Sequence, residues 1–491
     1  MRRLIKIIRN LVLLLIAVIV AGVLAFNVFS HGSRQLQVAA VPRADVDTKA
    51  VATRLGEAIR FRTVSSYEKP DQHAEALHGM QAHIQTSFPA FHAAARREIV
   101  ARYSLLYTWE GSDPRAAPIA LLAHQDVVPV APGTEKDWQQ PPYDGVIADG
   151  FIWGRGAWDD KGNLYSMLEA AEAMAKNGFR PRRTIYFAFG HDEETAGTAG
   201  ATAIAALLAS RGVRLDFVVD EGLLITEGIM KGLDKPAALV GVAEKGYATL
   251  VLNAQATPGH SSMPPRDTAI GMLSAALARL EDHRLPMQIR GTVAEMFDTL
   301  APEMHGFNRV VLSNLWLFKP LLLREFEKSG PTEAMVRTTT ALTIFNAGDK
   351  DNVLPGNAEA SVNFRLIPGD NQASVTDHVR GTIANERISI KPFPGNTDPP
   401  PVTGTASPSY QMFNRTIREV FPDVIVTPGL MVAATDSRHF VGITDKIFRF
   451  SPVRANSDDL KRFHGTNERL SVEGYADMIR FYRRLIENSA G

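Results

Sequence analysis

The sequence predicts an α/β protein built on a mainly parallel sheet, and three short apolar runs carry this prediction. Residues 119–123, 184–189 and 215–219 have the length and composition of buried strands, and helical segments separate them. Ligands of parallel α/β sheets bind beyond the carboxyl ends of the strands. We therefore expect the functional side chains immediately after these three runs.

The N-terminus has the composition of a membrane anchor. Four basic residues within the first nine precede an uncharged apolar stretch at residues 11–29. As a helix this stretch is about 28 Å long, close to the thickness of a bilayer core. A cleaved signal peptide usually has an apolar region of about 7–15 residues, so it is the alternative. The basic flank predicts that the globular part is exported, to the periplasm, the lumen or the exterior.

Composition excludes several classes of protein and of site. At 491 residues the chain is long enough for more than one domain. Its formal net charge is zero, which argues against a nucleic-acid partner. It has no cysteine, so a metal site must use His, Asp or Glu. A homo-oligomer is compatible with the sequence.

The order of strand and helix patterns predicts one domain inserted into another. We expect a membrane anchor at 1–32, a catalytic domain formed by 46–246 and 404–491, and an inserted α+β domain at 247–392. Within the inserted domain, the stretch between a helix at 268–281 and a strand at 338–345 has no clear periodicity, so we predict an irregular middle. A proline-rich stretch at 392–408 closes the insertion.

Acidic residues and histidines follow the predicted strands. Zinc accepts imidazole and carboxylate ligands, and two metal ions about 3.5–4 Å apart are bridged by a shared carboxylate. Asp159, in a glycine-flanked turn, is the predicted bridge. We assign His124 and Asp220 to one ion, and Glu194 and His464 to the other.

Two further carboxylates have predicted roles beside these ligands. Asp126, two residues after His124, suits a group that orients the ligating imidazole. Glu193 neighbours a ligand and is placed to take a proton from the attacking water. Taken singly, each of these residues is more commonly a solvated loop carboxylate or a satisfied core histidine, but their shared position at strand ends favours a site.

Longer motifs resemble the M20 family of metallopeptidases, in its carboxypeptidase S and secreted N-fatty-acyl-amino-acid synthase/hydrolase branch. The resemblance runs from about residue 50 to the C-terminus. Its motifs are Asp159-Asp160-Lys161-Gly162, Asp192-Glu193-Glu194, Glu244-Lys245-Gly246-Tyr247, Gly259-His260-Ser261-Ser262, Thr435-Asp436-Ser437-Arg438 and His464-Gly465-Thr466-Asn467-Glu468.

The resemblance implies two zinc ions per subunit, with Co²⁺ or Mn²⁺ as substitutes, held by the ligands assigned above. It also implies a cis peptide between Asp159 and Asp160. The inserted domain resembles the lid of the family. Its matching residues imply that His260 stabilises the oxyanion and that Asn352 and Arg365 hold the substrate; Arg438 is a further candidate for that role.

The predicted function is zinc-dependent hydrolysis of an amide bond next to an amino acid with a free carboxylate. The branch favours N-fatty-acyl amino acids as substrates, in a reaction that is reversible. An exported carboxypeptidase or dipeptidase acting on short peptides is the alternative, and a non-catalytic binding protein is a weaker one. A serine hydrolase would need a Gly-x-Ser-x-Gly turn, which the sequence lacks.

The apolar segment at 315–323 is open to two interpretations. It is either core of the inserted domain, packed against the catalytic domain, or a surface for a fatty acyl chain or a membrane.

Overall fold

The computed structural model describes residues 2–491, whose strands form one large sheet, one smaller sheet and two short ribbons. In chain order the strands are β1 (Arg96–Val100), β2 (Ser104–Trp109), β3 (Ile119–His124), β4 (Ile147–Ala148), β5 (Phe151–Trp153), β6 (Ile185–Gly190), β7 (Val218–Thr226), β8 (Ala237–Glu244), β9 (Gly246–Gln255), β10 (Gly259–His260), β11 (Thr339–Ala347), β12 (Val353–Leu354), β13 (Asn357–Leu366), β14 (Ile388–Pro392), β15 (Ile425–Met431), β16 (Ile447–Ala455) and β17 (Arg469–Ser471).

Helices occupy most of the remaining chain. They are α1 (Arg2–Ser30), α2 (Thr48–Ile59), α3 (Ala74–Ser87), α4 (Pro89–Ala94), α5 (Lys161–Lys176), α6 (Ala201–Ser210), α7 (Ala269–Asp282), α8 (Gly291–Leu300), α9 (Gly306–Ser313), α10 (Leu315–Phe326), α11 (Gly330–Val336), α12 (Gln372–Ile383), α13 (Pro408–Val420), α14 (Ser457–Leu460) and α15 (Val472–Ala490).

The large sheet has eight strands in the order β1-β2-β6-β3-β7-β16-β8-β15. Its centre is parallel, since β3 runs parallel to β6 and β7, and β16 runs parallel to β7. The outer strands β1 and β2 are antiparallel, as is β8 against β7. The predicted α/β class, with a mixed and mainly parallel sheet flanked by helices, is therefore confirmed.

Helices cover both faces of the large sheet. On one face, apolar residues of α2, α5, α13 and α15 form the largest core with the strands, and Phe413, Phe450 and Phe481 meet there edge to face. On the other face, Ile204 and Leu208 of α6 pack on β2, β3 and β7. Burial on both faces explains why the central strands are continuous apolar runs and not alternating ones.

The smaller sheet has the order β11-β13-β9-β14 and is antiparallel. Helices α7 and α12 cover one face, and their apolar residues form a separate core with β9 and β13. This sheet and its two helices match the predicted α+β unit. A ribbon of β10 and β12 extends from it.

The middle of the inserted segment is helical, so the predicted irregular stretch was wrong. Helices α8, α9, α10 and α11 occupy it, and their apolar residues pack on the edge of the large sheet. Val293 and Phe297, for example, share a core with Ile425 and Leu430 of β15. Glycines at 291, 306 and 330 and prolines at 302 and 331 lie where these short helices begin or end. Its periodicity is therefore too brief to recognise.

Helix α1 is long and apolar enough to span a membrane, judged by its length and composition. None of its residues after Arg2 is buried in the protein core. Helix α1 contacts α9, and its Asn27 Nδ2 donates to Oδ1 of Asn314, the residue between α9 and α10, at 2.8 Å. Helix α1 is thus attached to the helical segment that packs on the large sheet.

Candidate metal centre

The candidate site lies at the carboxyl ends of the central parallel strands, as the sequence predicts. His124 is the last residue of β3, and Glu193 and Glu194 follow β6 directly. Asp159 comes from the turn that precedes α5, and its peptide bond to Asp160 is cis. His464 lies in the loop before β17 and has a positive φ of 57°.

Asp159 stands between the two histidines. Its Oδ1 lies 2.9 Å from His124 Nε2, and its Oδ2 lies 2.7 Å from His464 Nε2. His464 Nε2 is also 3.3 Å from Glu194 Oε1. One carboxylate therefore presents a different oxygen to each of two histidine-carboxylate groups, which is the arrangement of a bridging ligand.

Glu221, and not Asp220, completes the His124 group. Glu221 Oε1 lies 3.4 Å from His124 Nε2, and one ligand atom each from His124, Asp159 and Glu221 lies within 4.8 Å of the others. Asp220 belongs to neither group: its Oδ1 accepts from the backbone N–H of Glu221 and its Oδ2 accepts from that of Ser437. The structure therefore does not bring the predicted ligand Asp220 into either group.

The course of β7 explains this exchange. The strand does not end at residue 219 but continues to Thr226, so Asp220 and Glu221 lie within it and project to opposite faces. Its register with β16 shifts beside Gly222, where an added Cβ would stand 2.7 Å from Arg449 Cβ. Sequence reasoning missed Glu221 because it placed the end of the strand too early.

Asp126 links the first histidine to the Glu193-Glu194 turn. His124 Nδ1 lies 3.0 Å from the backbone carbonyl of Asp126 and 3.3 Å from its Oδ1. The same carboxylate accepts the backbone N–H groups of Glu193 and Glu194, each at 3.1 Å. Asp126 thus contacts the side of His124 that faces away from Asp159, as expected of an orienting group.

Burial and the packing of carboxylates around the histidines shift several pKa values. Burial lowers the pKa of His464, but its contacts with Asp159 and Glu194 outweigh burial and raise it to about 10. Burial, together with the charge of Asp159, raises the pKa of Glu221 to about 8. Burial also raises the pKa of Glu193 well above its ordinary range. So many carboxylates in a low-dielectric site favour a cation between them.

Glu468 holds the bridging turn to the loop of His464, a role that sequence reasoning did not assign. Its Oε1 accepts the backbone N–H groups of Gly156, Trp158 and Asp159 at 2.9–3.1 Å. Its Oε2 accepts from Arg155 Nη1 at 2.7 Å, and Arg155 Nη2 donates to the carbonyl of His464. The motif at residues 464–468, which contains both His464 and Glu468, was the feature of the sequence that could have indicated this role.

The donor set fits two divalent metal ions. Two groups of potential ligands each contain one imidazole and two carboxylates. His124, Asp159 and Glu221 form the first group, and Asp159, Glu194 and His464 form the second, so Asp159 belongs to both. Glu194 Oε1 is buried and accepts no hydrogen bond. An unpaired buried carboxylate oxygen that faces a histidine is suited to a metal ion.

His260 and Asn352 lie together on the β10–β12 ribbon, outside the metal groups. The N–H of Ser261 donates to the carbonyl of Asn352 at 3.1 Å, and His260 pairs with Val353 across the ribbon. Both His260 and Asn352 are exposed. His260 Nδ1 lies 2.8 Å from Ser262 Oγ, so its other ring nitrogen stays available to a ligand.

Arg365 lies on the smaller sheet beside Tyr247, and Arg438 lies next to the turn of Glu193 and Glu194. The Arg365 guanidinium carbon lies 4.7 Å from the centre of the Tyr247 ring, its cross-strand neighbour on β9. Burial lowers the pKa of Arg365, and the nearby charge of Arg438 lowers it further. Arg438 donates to the carbonyl of Ala196, in the turn that carries Glu193 and Glu194. Arg365 thus belongs to the smaller sheet, and Arg438 is held beside the turn of Glu193 and Glu194.

Comparison with known proteins gives a family. The sequence model of Peptidase family M20/M25/M40 matches residues 120–488. The chain is 44% identical over 450 residues to N-fatty-acyl-amino acid synthase/hydrolase PM20D1 of Xenopus tropicalis, covering 91% of this chain and 87% of that protein. It is 39% identical over 493 residues to probable carboxypeptidase S-like 2 of Dictyostelium discoideum, covering 98% and 93%.

A solved structure has the same fold. The M20 family metallo-carboxypeptidase Sso-CP2 from Sulfolobus solfataricus superposes with a TM-score of 0.64 at 17% identity, over 91% of this chain and 99% of that one. This likeness concerns the fold, whereas the family model and the two relatives cover the candidate site in sequence. The predicted resemblance is confirmed: the chain belongs to Peptidase family M20/M25/M40 and is an M20-type hydrolase.

Proposed function

We propose that the protein hydrolyses the amide bond of N-acyl amino acids with two zinc ions held between His124 and His464. One observation carries this proposal: the two oxygens of Asp159 face two different histidines, at 2.9 and 2.7 Å. Bound between these ligands, two divalent ions supply a Lewis acid for the scissile carbonyl and lower the pKa of the attacking water.

The protein's own residues then provide proton transfer and orientation. Glu193 lies between the two metal groups, close to both His124 and Glu194. Its carboxylate takes the proton of the attacking water and returns it to the leaving nitrogen. Asp126 supports both sides, since it contacts His124 and holds the backbone of Glu193. His260 is assigned to the oxyanion, which requires the ribbon to move onto the site.

Two arginines support a substrate with a free carboxylate. The planar guanidinium group binds carboxylates through two parallel hydrogen bonds. Arg365 lies on the smaller sheet and Arg438 beside the Glu193 turn, and these two residues would hold the amino-acid end of a substrate. The relative from Xenopus tropicalis is named as acting on N-fatty-acyl amino acids, which supports a fatty acyl group at the other end.

An exported carboxypeptidase is the second candidate, favoured by the similarity to carboxypeptidase S-like 2. It would use the same metal groups and the same arginines on a C-terminal carboxylate. In both cases we propose that α1 anchors the protein and that its catalytic part is exported, with a cleaved signal as the alternative. A homo-oligomer stays a prediction from the sequence.

The two candidates differ in substrate, so direct competition separates them. The full chain, purified in detergent and loaded with zinc, is given equal amounts of N-oleoyl-phenylalanine and N-benzyloxycarbonyl-glycyl-phenylalanine. We expect the oleoyl compound to be hydrolysed with the higher kcat/KM. Preference for the blocked dipeptide would favour the carboxypeptidase. Hydrolysis of neither compound by protein that holds two zinc ions would contradict the proposed substrate class.

A further inference from the structure

Helix α10 has two apolar faces, and only one of them is covered. Leu315, Leu322, Leu323 and Phe326 pack against the core that joins this helix to the large sheet. The opposite face carries exposed residues at helical spacing, namely Trp316, Leu317, Pro320, Leu321 and Arg324. The covered face therefore agrees with the core interpretation of the 315–323 segment, and the surface interpretation concerns the exposed face alone.

The exposed face is unusually apolar for a protein surface. Trp316 is 61%, Leu317 42% and Leu321 52% exposed, and Phe307 of α9 is 63% exposed. The ring of Phe307 meets that of Phe318 at 5.7 Å, so α9 and α10 present one continuous surface, which we call the α10 face. Exposed apolar surface of this kind marks a binding site for a protein or a membrane.

The α10 face begins beside the proposed anchor. Arg309 Nη2 donates to the carbonyl of Val28 at 3.2 Å, and Asn314 Nδ2 donates to the carbonyl of Leu24 at 3.3 Å. Asn27 and Asn314 also join their side chains. Leu24 lies six residues before the end of α1, or about 9 Å along the helix axis. The start of α10 is therefore level with the last apolar turns of α1.

The position of α10 beside the last turns of α1 favours lipid over a soluble protein as the partner of the α10 face. A segment next to the last turns of a spanning helix meets lipid before any soluble partner. Helices that lie in the membrane interface enter it by about 5–10 Å, a depth that agrees with the position of α10. Tryptophan is enriched at this boundary. Arg324, on the same face as Trp316, can extend its charged end toward lipid phosphates.

Pro320 sets a limit on the depth. Because proline has no N–H, the carbonyl of Trp316 loses its usual partner in the helix. An unpaired carbonyl is unfavourable in hydrocarbon, whereas water at the interface can satisfy it. We propose that the α10 face inserts into the interface of the outer leaflet of the membrane that α1 spans. This proposal depends on the anchor and not on the identity of the substrate.

The distribution of tryptophan allows a direct test. Trp109, Trp138, Trp153 and Trp158 are all less than 9% exposed, so Trp316 is the tryptophan that lipid can reach. The full chain is placed in nanodiscs of phosphatidylcholine with or without bromine on the acyl chains, which quenches tryptophan on contact. We expect brominated lipid to remove the emission of Trp316, and expect no such loss in the Trp316→Phe variant.

A second variant tests the face without altering the probe. Leu317 and Leu321 are exposed, so Leu317→Gln combined with Leu321→Gln should leave the fold and the hydrolysis of a short, water-soluble N-acyl amino acid unchanged. We expect quenching of Trp316 to fall in this variant. Undiminished quenching there would show that the apolar face does not hold the helix in the lipid, and would overturn the proposal.

Other outcomes also decide the question. Equal emission of the native chain in both lipids, with the chain retained in the membrane during alkaline carbonate extraction, would overturn the proposal and leave the anchor intact. Release of the chain by carbonate would overturn both. If the chain forms dimers that shield Trp316 from brominated lipid, the α10 face is the contact surface between two copies of the chain, and the membrane proposal is wrong.

Discussion

The candidate site has two sides that differ in how completely they are formed. The metal side is the set of histidines and carboxylates around Asp159, and the lid side is the ribbon that carries His260 and Asn352. On the metal side, His124 and Asp159 are buried and Asp159 already contacts both histidines. On the lid side, His260 and Asn352 are exposed, and their contacts are within their own ribbon. We therefore propose that metal binding depends on the large-sheet domain alone, whereas substrate binding requires the smaller sheet and its ribbon to move.

Asp159→Asn should have the largest effect, because this residue belongs to both metal groups. We expect the variant to hold fewer than two zinc ions and to lose hydrolysis by at least about 1,000-fold. Metal analysis of the dialysed protein, followed by kinetics at saturating zinc, measures both effects. A variant that kept two ions and native activity would contradict the bridging role.

Substitutions of the neighbouring residues Asp220 and Glu221 test which of the two carboxylates binds metal. Glu221→Gln should lose zinc and reduce kcat/KM by about 100-fold or more, because it removes a carboxylate oxygen that faces His124. Asp220→Asn should keep two ions, since its oxygens accept backbone N–H groups. Loss of zinc in Asp220→Asn, with zinc retained in Glu221→Gln, would restore the assignment made from sequence.

His260→Ala should reduce activity and leave the metals in place, which is the behaviour that separates the two sides. We expect kcat to fall by about 100-fold with two zinc ions retained, the usual effect of removing an oxyanion donor. Ser262→Ala serves as a control, because it removes only the contact to His260 Nδ1. Loss of metal in His260→Ala would show that the two sides are not independent.

A smaller effect, on the stability of the fold, is expected at Glu419, a carboxylate that belongs neither to the metal ligands nor to the β10–β12 ribbon. Burial raises the pKa of Glu419 on α13, but hydrogen bonds from Arg484, Asn488 and Arg415 outweigh burial and lower it to about 2. Because the folded-state pKa is depressed, this stabilisation is present above the ordinary pKa of 4.5 and is lost as the pH falls toward 2.

Glu419→Gln should therefore lower the stability at pH 7 by about 1–3 kcal/mol, and its difference from the native chain should narrow between pH 5 and pH 3. Thermal unfolding midpoints at several pH values measure this. Glu487→Gln, which removes a more exposed partner of Arg484, should change the stability by less than about 1 kcal/mol. A constant difference for Glu419→Gln across this pH range would contradict the assigned pKa.

Local patterns predicted the catalytic sheet well because its central strands are continuous apolar runs that end in polar residues. His124 and Glu194 were recognised for that reason, whereas Asp159 was recognised from its glycine-flanked turn and His464 from its loop motif; the structure brings these four together. The choice between Asp220 and Glu221 was beyond such patterns, because it depends on how far β7 continues. That length is set by pairing with β16 and β8, which are more than ten residues away in sequence.

The helical segment was missed for a different reason. Helices α8 to α11 are short, and their apolar residues are buried against β15, a strand that follows them by about a hundred residues. Likewise, the pairing of His260 with the Asn352 segment depends on a two-residue ribbon. Periodicity within a short window contains no information about partners so distant in the chain.

The most direct test of the central claim is the metal content and activity of Glu193→Gln. Glu193 is proposed to carry a proton from the attacking water to the leaving nitrogen. The Gln substitution removes this ability and leaves the metal ligands in place. We expect the variant to bind two zinc ions and to hydrolyse an N-acyl amino acid at least about 1,000-fold more slowly than the native chain. Hydrolysis within about tenfold of the native rate, with two zinc ions bound, would contradict the account.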